Sequence, residues 1–454
     1  MNALPQQTQT RPGGTPVLVL GLGATGLSCA RYLSRLGQAV RITDSRVDPP
    51  GLEGLGELRE RIDLRLGRFD AADLDGVAEV IVSPGISLDE PVVAEARRRG
   101  LAVAGDIELF ARGAPAPVAA ITGSNGKSTV TSLLTELATA GGLHVHAGGN
   151  LGTPALDLLE REVPDFYVLE LSSFQLEATE TLQPRAAAVL NVSPDHIDRH
   201  GSLDRYAAAK ARIFRGAEVA VLNRDDHFVM AMSPATGRVV TFGLDAPQSE
   251  GDYGLLEGGA APLLARGRRP LLSADRLALR GRHNLANALA ALAMAEALGL
   301  MPESLIDALA AFRGLPHRCT PVVSAGGVAW IDDSKGTNVG ASVAAITGMD
   351  GPVVLIAGGD GKGADFTPLA EAAAGRVRAA VLIGRDAALL EKALAGVCPT
   401  VRAEGMEEAV AAAAGLARPG DTVLLSPACA STDMYRDYTE RGRAFAGAAQ
   451  RIAS

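Results

Sequence analysis

Lysine is scarce in this sequence. Of its 43 basic residues only Lys127, Lys210, Lys335, Lys362 and Lys392 are lysines, and arginine fills nearly every other cationic position. No long basic run occurs and the formal charge is −9, which argues against nucleic acid as a partner, because such binding needs a clustered positive surface to release counterions. A few cations placed in a pocket would still serve small anionic molecules. Cysteine is scarce too. Cys29, Cys319, Cys398 and Cys429 lie far apart with no metal-type pair among them, so reduced thiols are expected rather than a disulfide framework. No apolar stretch reaches the ~18 residues of a membrane span, and MNALPQQTQTRPGGTP has no apolar signal-peptide core. Residues 1–14 read as a disordered tail, and the chain as a cytoplasmic protein without a membrane partner.

What is present is ample core material: 454 residues, 47% of them apolar, enough for roughly three domains of about 150 residues. Strand-like and helix-like segments alternate almost from end to end, which predicts an α/β fold. The expected units are residues 15–112, 113–315 and 316–454. The first has strands at Val17–Leu20, Val40–Ile42 and Glu79–Val82 and helices at Leu27–Leu36 and about Asp106–Arg112. The second has strands at Val118–Ile121, Phe166–Leu171 and Ala186–Val192, a helix from about Thr129, small β-elements over 237–280 and then the helix-like GRHNLANALAALAMAEAL. The third has strands at Val328–Ile331, Val353–Ile356, Ala379–Ile383 and Thr422–Leu425. Nearly every unusual cluster follows a strand: GLGATG, TDSR, SPGIS, TGSNGKST, ELSSFQ, NVSPDHID, DDSKGTN, GGDGKG and SPACAS. Ligands of open α/β sheets bind at the carboxyl ends of strands, so three such edges predict three domains facing one cleft.

TGSNGKST follows an apolar strand and opens a helix, the setting of a phosphate loop. Its glycines let backbone N–H groups approach an anion, Lys127 would neutralise the β- and γ-phosphates, and Ser128 would ligate Mg²⁺. The strict P-loop pattern is not met, because its first position is Ile121. Four of the five lysines fall in or beside the strand-end clusters, and only Lys392 reads as a helix-surface residue. Such a placement favours roles arginine cannot fill: a compact point charge, or an amine able to lose its proton and react. Glu170 ends a strand where it can reach a metal at Ser128, and His196 sits among acids in a loop suited to a second metal.

Together these motifs resemble the Mur ligases, the peptide-adding enzymes of bacterial cell-wall precursor synthesis. TGSNGKST, LELSSFQLE, NVSPDHIDRH, GRHNLANALAA, GLPHR, DDSKGTNV, GGDGKGADF and LLSPACAS occur in the family's order over about residues 15–448. GGDGK with SPACAS and the N-terminal GLGATG look most like the D-glutamate-adding branch, and the DNPR of the diamino-acid-adding branch is absent from the third unit. The resemblance implies a Rossmann-like N-terminal domain, a P-loop-type ATP-binding central domain and a Rossmann-like C-terminal domain. It implies an ATP-dependent ligase working through an acyl phosphate on UDP-N-acetylmuramoyl-L-alanine and D-glutamate, and the chain is expected to be a monomer.

Residue by residue, the resemblance places the uridine nucleotide on Thr25, Asp44, Ser45, Arg46 and Gly85, and the muramoyl–alanine end on Asn150 and Gln175. It places ATP on Gly123, Ser124, Asn125, Gly126, Lys127, Ser128, Thr129, Asn284, Asn287, Arg318 and Asp333. Two Mg²⁺ ions are implied, one on Ser128 and Glu170 and one on His196 and a carbamylated Lys210, with Lys335 joining Lys127, Lys210 and His196 in catalysis. D-glutamate falls to Thr337, Lys362, Ser431 and Tyr438. The chain departs from the family at Tyr438, where phenylalanine is usual, and at Thr432, where leucine is. Other readings stay open at this point: another Mur ligase or a folylpolyglutamate synthetase, a P-loop ATPase switch, and a nicotinamide-dependent oxidoreductase built on GLGATG with Asp44.

Overall fold

The computed structural model describes residues 14–150, 152–235, 237–279, 281–349 and 351–453. The expected tail, residues 1–14, lies outside these apart from Gly14. Three sheets follow one another along the chain. The first contains β1 (Val17–Leu20), β2 (Val40–Asp44), β3 (Asp63–Leu66), β4 (Glu79–Val82) and β5 (Ala102–Ala104), all parallel, in the order β3-β2-β1-β4-β5. The chain reverses direction of travel across this sheet between β1 and β4, the point where doubly wound sheets open a crevice. There the Ser83 hydroxyl donates to the Gly21 carbonyl (2.9 Å). Glycine is required at Gly26, since a Cβ there would sit 1.9 Å from that same carbonyl oxygen.

The second sheet contains β6 (Val118–Thr122), β7 (Val145–Gly149), β8 (Phe166–Glu170), β9 (Ala186–Val189), β10 (Val219–Asn223), β11 (Arg238–Phe242), β12 (Tyr253–Leu256), β13 (Leu263–Arg266) and β14 (Arg269–Ser273). Their order is β14-β13-β12-β11-β10-β9-β6-β8-β7, parallel except for the terminal β12-β13-β14 meander. The third contains β15 (Thr320–Ala325), β16 (Val328–Asp332), β17 (Val353–Gly358), β18 (Val377–Ile383), β19 (Thr400–Arg402) and β20 (Thr422–Leu425), ordered β15-β16-β20-β17-β18-β19, with only β15 antiparallel. Central strands such as β6 and β17 are buried along their whole length. Helices cover both faces of a parallel sheet, so such strands read as unbroken apolar runs.

Six strands were not among those expected from sequence, and five of them, β3, β5, β7, β15 and β19, are sheet edges. These edge strands are short or half-exposed, so their apolar runs are short or broken. The sixth, β10, is fully buried and mostly apolar (VAVLN), and its signal was legible. The helix expected at Leu27 begins at Ala24, and that expected at Thr129 begins at Lys127. The strand expected to reach Val192 leaves its ladder at Val189, because the next residues turn over the phosphate loop: Ser124 N–H donates to Asn191 O (2.9 Å) and Asn125 N–H to Asn191 Oδ1 (2.8 Å). The first sheet and the adjoining side of the central sheet share one apolar cluster, running from Val19 and Phe110 to Leu156 and Tyr167. The clusters around Leu355 and Phe445 draw only on the third unit.

Candidate active site at the seam between the central and third units

The centre of the site is set by β6 and its neighbours. β6 delivers Gly123–Gly126, and the helix Lys127–Ala140 begins at once. Gly126 adopts φ 83°, and a Cβ there would meet Asn287 Oδ1 at 2.5 Å, so both conformation and space call for glycine. Lys127 Nζ donates to the carbonyls of Gly123 (2.8 Å) and Ser124 (3.0 Å), and Lys210 Nζ donates to the same Gly123 carbonyl (2.9 Å). Two lysine Nζ atoms therefore converge on one oxygen. Lys210, on the helix Leu203–Ala211, is 1% exposed, with Nζ 4.3 Å above the Tyr206 ring. Burial, and then the nearby Lys127 charge, pull its pKa well below that of an ordinary lysine. Burial lowers Lys127 also, against the attraction of Glu170 and Asp195.

β8, next to β6, ends at Glu170. Its Oε1 accepts from Asn150 Nδ2 (2.6 Å), while its Oε2 is buried with no hydrogen-bond partner among the described residues. A buried, unpartnered carboxylate oxygen is costly unless something else satisfies it. The loop after β9 carries His196 at φ 55°, and burial brings its imidazole down to about 4 despite the pull of Asp195. It is thus neutral at physiological pH, the form that offers a lone pair. Among the described residues no three His, Cys, Asp or Glu side chains gather as a metal cluster. The available donors are mixed: the Ser128 hydroxyl, the free Glu170 oxygen, the neutral His196 ring and the Lys210 amine. The free Glu170 oxygen is the observation that fits a cation.

The third unit closes one side. Arg318 lies between two left-handed residues, His317 (φ 63°) and Cys319 (φ 48°), and His317 Nδ1 is 2.6 Å from Asp332 Oδ2. Arg318 Nη2 donates to Ser128 Oγ across the seam (2.9 Å). Asp333 accepts from Ser426 Oγ (2.7 Å), and burial pushes its carboxyl up to about 7. Burial, then the Arg318 charge, lower Lys335 to about 8, and its Nζ lies 3.8 Å from the Tyr438 ring centroid. Asp195 Oδ1 accepts from Lys362 Nζ (3.3 Å), while Asn338 Nδ2 donates to both Asp195 Oδ2 and Asn125 Oδ1 (3.1 Å each).

Two cavities flank this seam. One of about 290 Å³ is lined by Asn125, Gly126, Thr129, Asn284, Asn287, Arg318, Asp333 and Lys335, with His283, Phe242 and Leu279 among the rest. The other, of about 230 Å³, is lined by Asp195, His196, Thr337, Asn338 and Lys362. Arg318 reaches Ser128, and Asn338 and Lys362 reach Asn125 and Asp195, so loops of the central and third sheets converge here; three sheet edges were expected on one cleft, but no first-unit residue lines either of these two cavities. Asp195, Asn338 and His283 were not singled out from the sequence, although each sits beside a chosen residue inside a quoted motif. Ser431 and Tyr438 line neither cavity: Ser431 is 4% exposed, and Tyr438 packs on Lys335.

In the first unit Thr25, Asp44, Ser45, Arg46 and Gly85 gather at the ends of β1, β2 and β4. Asp44 accepts from Leu22 N–H (2.7 Å) and from the Arg46 fork (2.8 and 2.7 Å). Burial alone would raise its pKa, but these bonds hold it below the usual carboxylate value. Gln175 is tied at both ends, donating to Asp106 Oδ2 (2.9 Å) and accepting from Ser172 N–H (3.1 Å).

Residues 15–105 match the Mur ligase MurD-like N-terminal domain, 121–295 the Mur ligase middle domain, and 317–429 the Mur ligase glutamate ligase domain. The chain belongs to the Mur ligase family. Curated relatives named UDP-N-acetylmuramoylalanine–D-glutamate ligase include one from Nitrosococcus oceani, 55% identical over 96% of this chain and 97% of its own length. Another, from Methylococcus capsulatus, is 53% identical over 96% of this chain and 95% of its own. Among solved structures, the UDP-N-acetylmuramate-alanine ligase MurC of Thermotoga maritima superposes with TM-score 0.60 at 20% identity, covering 96% of this chain and 99% of its own. MurF of Acinetobacter baumannii gives 0.60 at 19%, covering 97% and 93%. At that identity these two speak for the fold alone. The GLGATG loop of this Mur ligase thus belongs to the family's own N-terminal domain, and the nicotinamide reading gives way. Among the described residues of this Mur ligase no helix is long and apolar enough to cross a membrane.

Proposed function

We propose that this Mur ligase joins D-glutamate to UDP-N-acetylmuramoyl-L-alanine, consuming ATP to ADP and phosphate, as a step of peptidoglycan precursor synthesis. The observation that carries the reading is the convergence of Lys127 and Lys210 on the Gly123 carbonyl, with the Glu170 charge acting on both, at a seam where the third unit presents Arg318, Lys335 and Lys362. The relatives named for D-glutamate support the choice of amino acid.

A carboxylate is a poor electrophile, because its charge repels nucleophiles. Transfer of the γ-phosphoryl group of ATP to that oxygen makes an acyl phosphate with a good leaving group. The deprotonated amine of D-glutamate attacks the carbonyl carbon, and the tetrahedral intermediate expels phosphate to leave the amide. The chain's part is positioning and charge neutralisation, by Lys127, Lys335 and Arg318 on the phosphate oxygens. In this reading ATP occupies the larger cavity, its adenine end toward Asn284 and Asn287 and its phosphates on Gly123–Thr129, with Asp333 closing from the third unit. D-glutamate occupies the smaller one, on Thr337 and Lys362, with Ser431 and Tyr438 behind. The first-unit loops seat the uridine nucleotide, and Asn150 and Gln175 face the alanyl end.

Two Mg²⁺ ions fit the donors, one on Ser128 and Glu170, the other on His196 and Lys210; when bound they supply charge that offsets the developing negative charge on phosphate oxygens. Lys210 suits carbamylation, because its depressed pKa leaves neutral amine to add to CO₂ with loss of a proton, giving an anionic group that arginine could not provide. The test is phosphate release by purified protein given ATP, Mg²⁺ and UDP-N-acetylmuramoyl-L-alanine. Release is expected on adding D-glutamate and not L-glutamate, L-alanine or diaminopimelate; release independent of any amino acid would leave only an ATPase.

A further inference from the structure

The loop after β9 does more than present His196. In the short helix Ile197–His200 that follows, Arg199 Nη2 donates to the carbonyl of Ile86 (2.8 Å), in the SPGIS loop of the first unit. The guanidinium carbon of Arg199 also lies 4.8 Å from the centroid of the Phe174 ring. That ring is edge-on to His196 (4.9 Å) and stacked on His200 (5.3 Å). His200 is itself fixed, with Nε2 2.9 Å from Ser173 Oγ and Nδ1 3.2 Å from Glu177 Oε1. The Arg199 side chain is only 18% exposed, and Nη2 is 3.8 Å from Glu177 Oε2.

We propose that Arg199 is a positioning residue that couples the uridine-nucleotide seat to the catalytic loop: it ties the backbone beyond β4 to the aromatic ring that backs His196. Two features of the molecule call for such a brace. His196 holds a left-handed backbone (φ 55°, ψ 32°), which a non-glycine residue keeps only where its surroundings over-determine it. Arginine is also the one side chain able to brace both partners at once. Its planar fork donates in plane to a carbonyl while its face covers a ring, whereas an ammonium is a point charge that serves one or the other. Movement of the SPGIS loop on taking up the nucleotide is then transmitted through Arg199 and Phe174 to His196, and neither Arg199 nor Phe174 needs to touch the reacting atoms.

The proposal rests on the ligase reading, and its test separates the two failures. Wild-type protein that releases no phosphate with D-glutamate sinks both; a working wild type whose variants behave normally sinks this one alone. Arg199→Lys is expected to lower kcat about tenfold or more, in keeping with the cost of misplacing a catalytic group, while KM for ATP stays within about twofold. Phe174→Leu should lose kcat similarly yet bind UDP-N-acetylmuramoyl-L-alanine, by calorimetry without ATP, within about twofold of wild type, since it breaks the brace only on the catalytic side. The double variant should lose no more than the worse single one, as for two residues acting in series. Should Phe174→Leu fail to fold, Arg199→Lys carries the test through its kcat and KM values alone. An Arg199→Lys enzyme with kcat within about twofold of wild type, or losses that multiply in the double variant, overturns the proposal.

Discussion

The two junctions between the units of this Mur ligase are built from different material. The first unit meets the central one through a shared apolar core: Phe110 packs edge-on against Tyr167 (5.1 Å) inside one continuous cluster. Polar groups there also bond across the joint. Glu108 accepts from Glu180 N–H (2.7 Å), Thr181 N–H (2.9 Å) and Thr181 Oγ (2.7 Å), and Gly105 N–H donates to Ala178 O (2.9 Å). The third unit keeps its apolar clusters to itself and meets the phosphate loop and the loop after β9 through side chains: Arg318 on Ser128, Asn338 on Asn125 and Asp195, Lys362 on Asp195. Apolar area once buried has no substitute partner, whereas phosphate, carboxylate or water can replace a side-chain hydrogen bond at small net cost. The first junction is therefore a fixed joint, and the second is one whose contacts ligands can exchange, so the third unit is the one expected to move as the site closes.

That contrast can be broken at either joint. The largest effect on turnover is expected at the exchangeable seam. Lys210→Ala should reduce phosphate release by more than about 10²–10³-fold, the scale of losing a central electrostatic group. Added bicarbonate should restore none of it, because alanine has no amine to take up CO₂. Turnover near wild type would contradict the role given to Lys210. At the fixed joint, Phe110→Ala should cost about 3–5 kcal/mol in urea unfolding, as for other buried aromatic truncations, and leave KM for ATP nearly unchanged. A small stability loss paired with a large rise in that KM would reverse the assignment of the two joints.

The smallest effect is the sharpest in sign. Burial pushes the Asp106 carboxyl, at the fixed joint, up to about 6, against the bond from Gln175. In the unfolded chain it titrates near 3.9. Between about pH 4 and 6 the folded form holds a proton that the unfolded form has lost, so this carboxyl's contribution to stability falls as pH rises through that window. Asp106→Asn removes the charged form and should stabilise by on the order of 1–3 kcal/mol at pH 7.5, and hardly at all below about pH 4. Equal effects at both pH values would show that the carboxyl is not the source of the pH dependence.

Much of the site was legible because its residues follow strands. β6, β8 and β9 lie side by side, so Lys127, Glu170 and the His196 loop had to emerge at one edge once the strands were recognised. β16, β20 and β17 do the same for Lys335, Ser431 and Lys362. Less legible was anything set by a partner far away in sequence. Asp195 is one position from His196, but its pairing with Lys362 and Asn338 spans 167 and 143 residues. The bond from Gln175 to Asp106 spans 69 residues. Edge strands were missed because their apolar runs are short or broken.

By itself the sequence determined the local chemistry: which loops can receive phosphate, which lysine has no arginine equivalent, and which runs must be buried. Those properties are carried by consecutive residues, through strand periodicity, glycine backbone freedom and helix N-termini. Only the tertiary structure decided which charges face each other across a seam, which carboxylate oxygen is left without a partner, and which junction is apolar. Burial and electrostatic environment depend on atoms that are close in space and distant along the chain, and no local pattern records them.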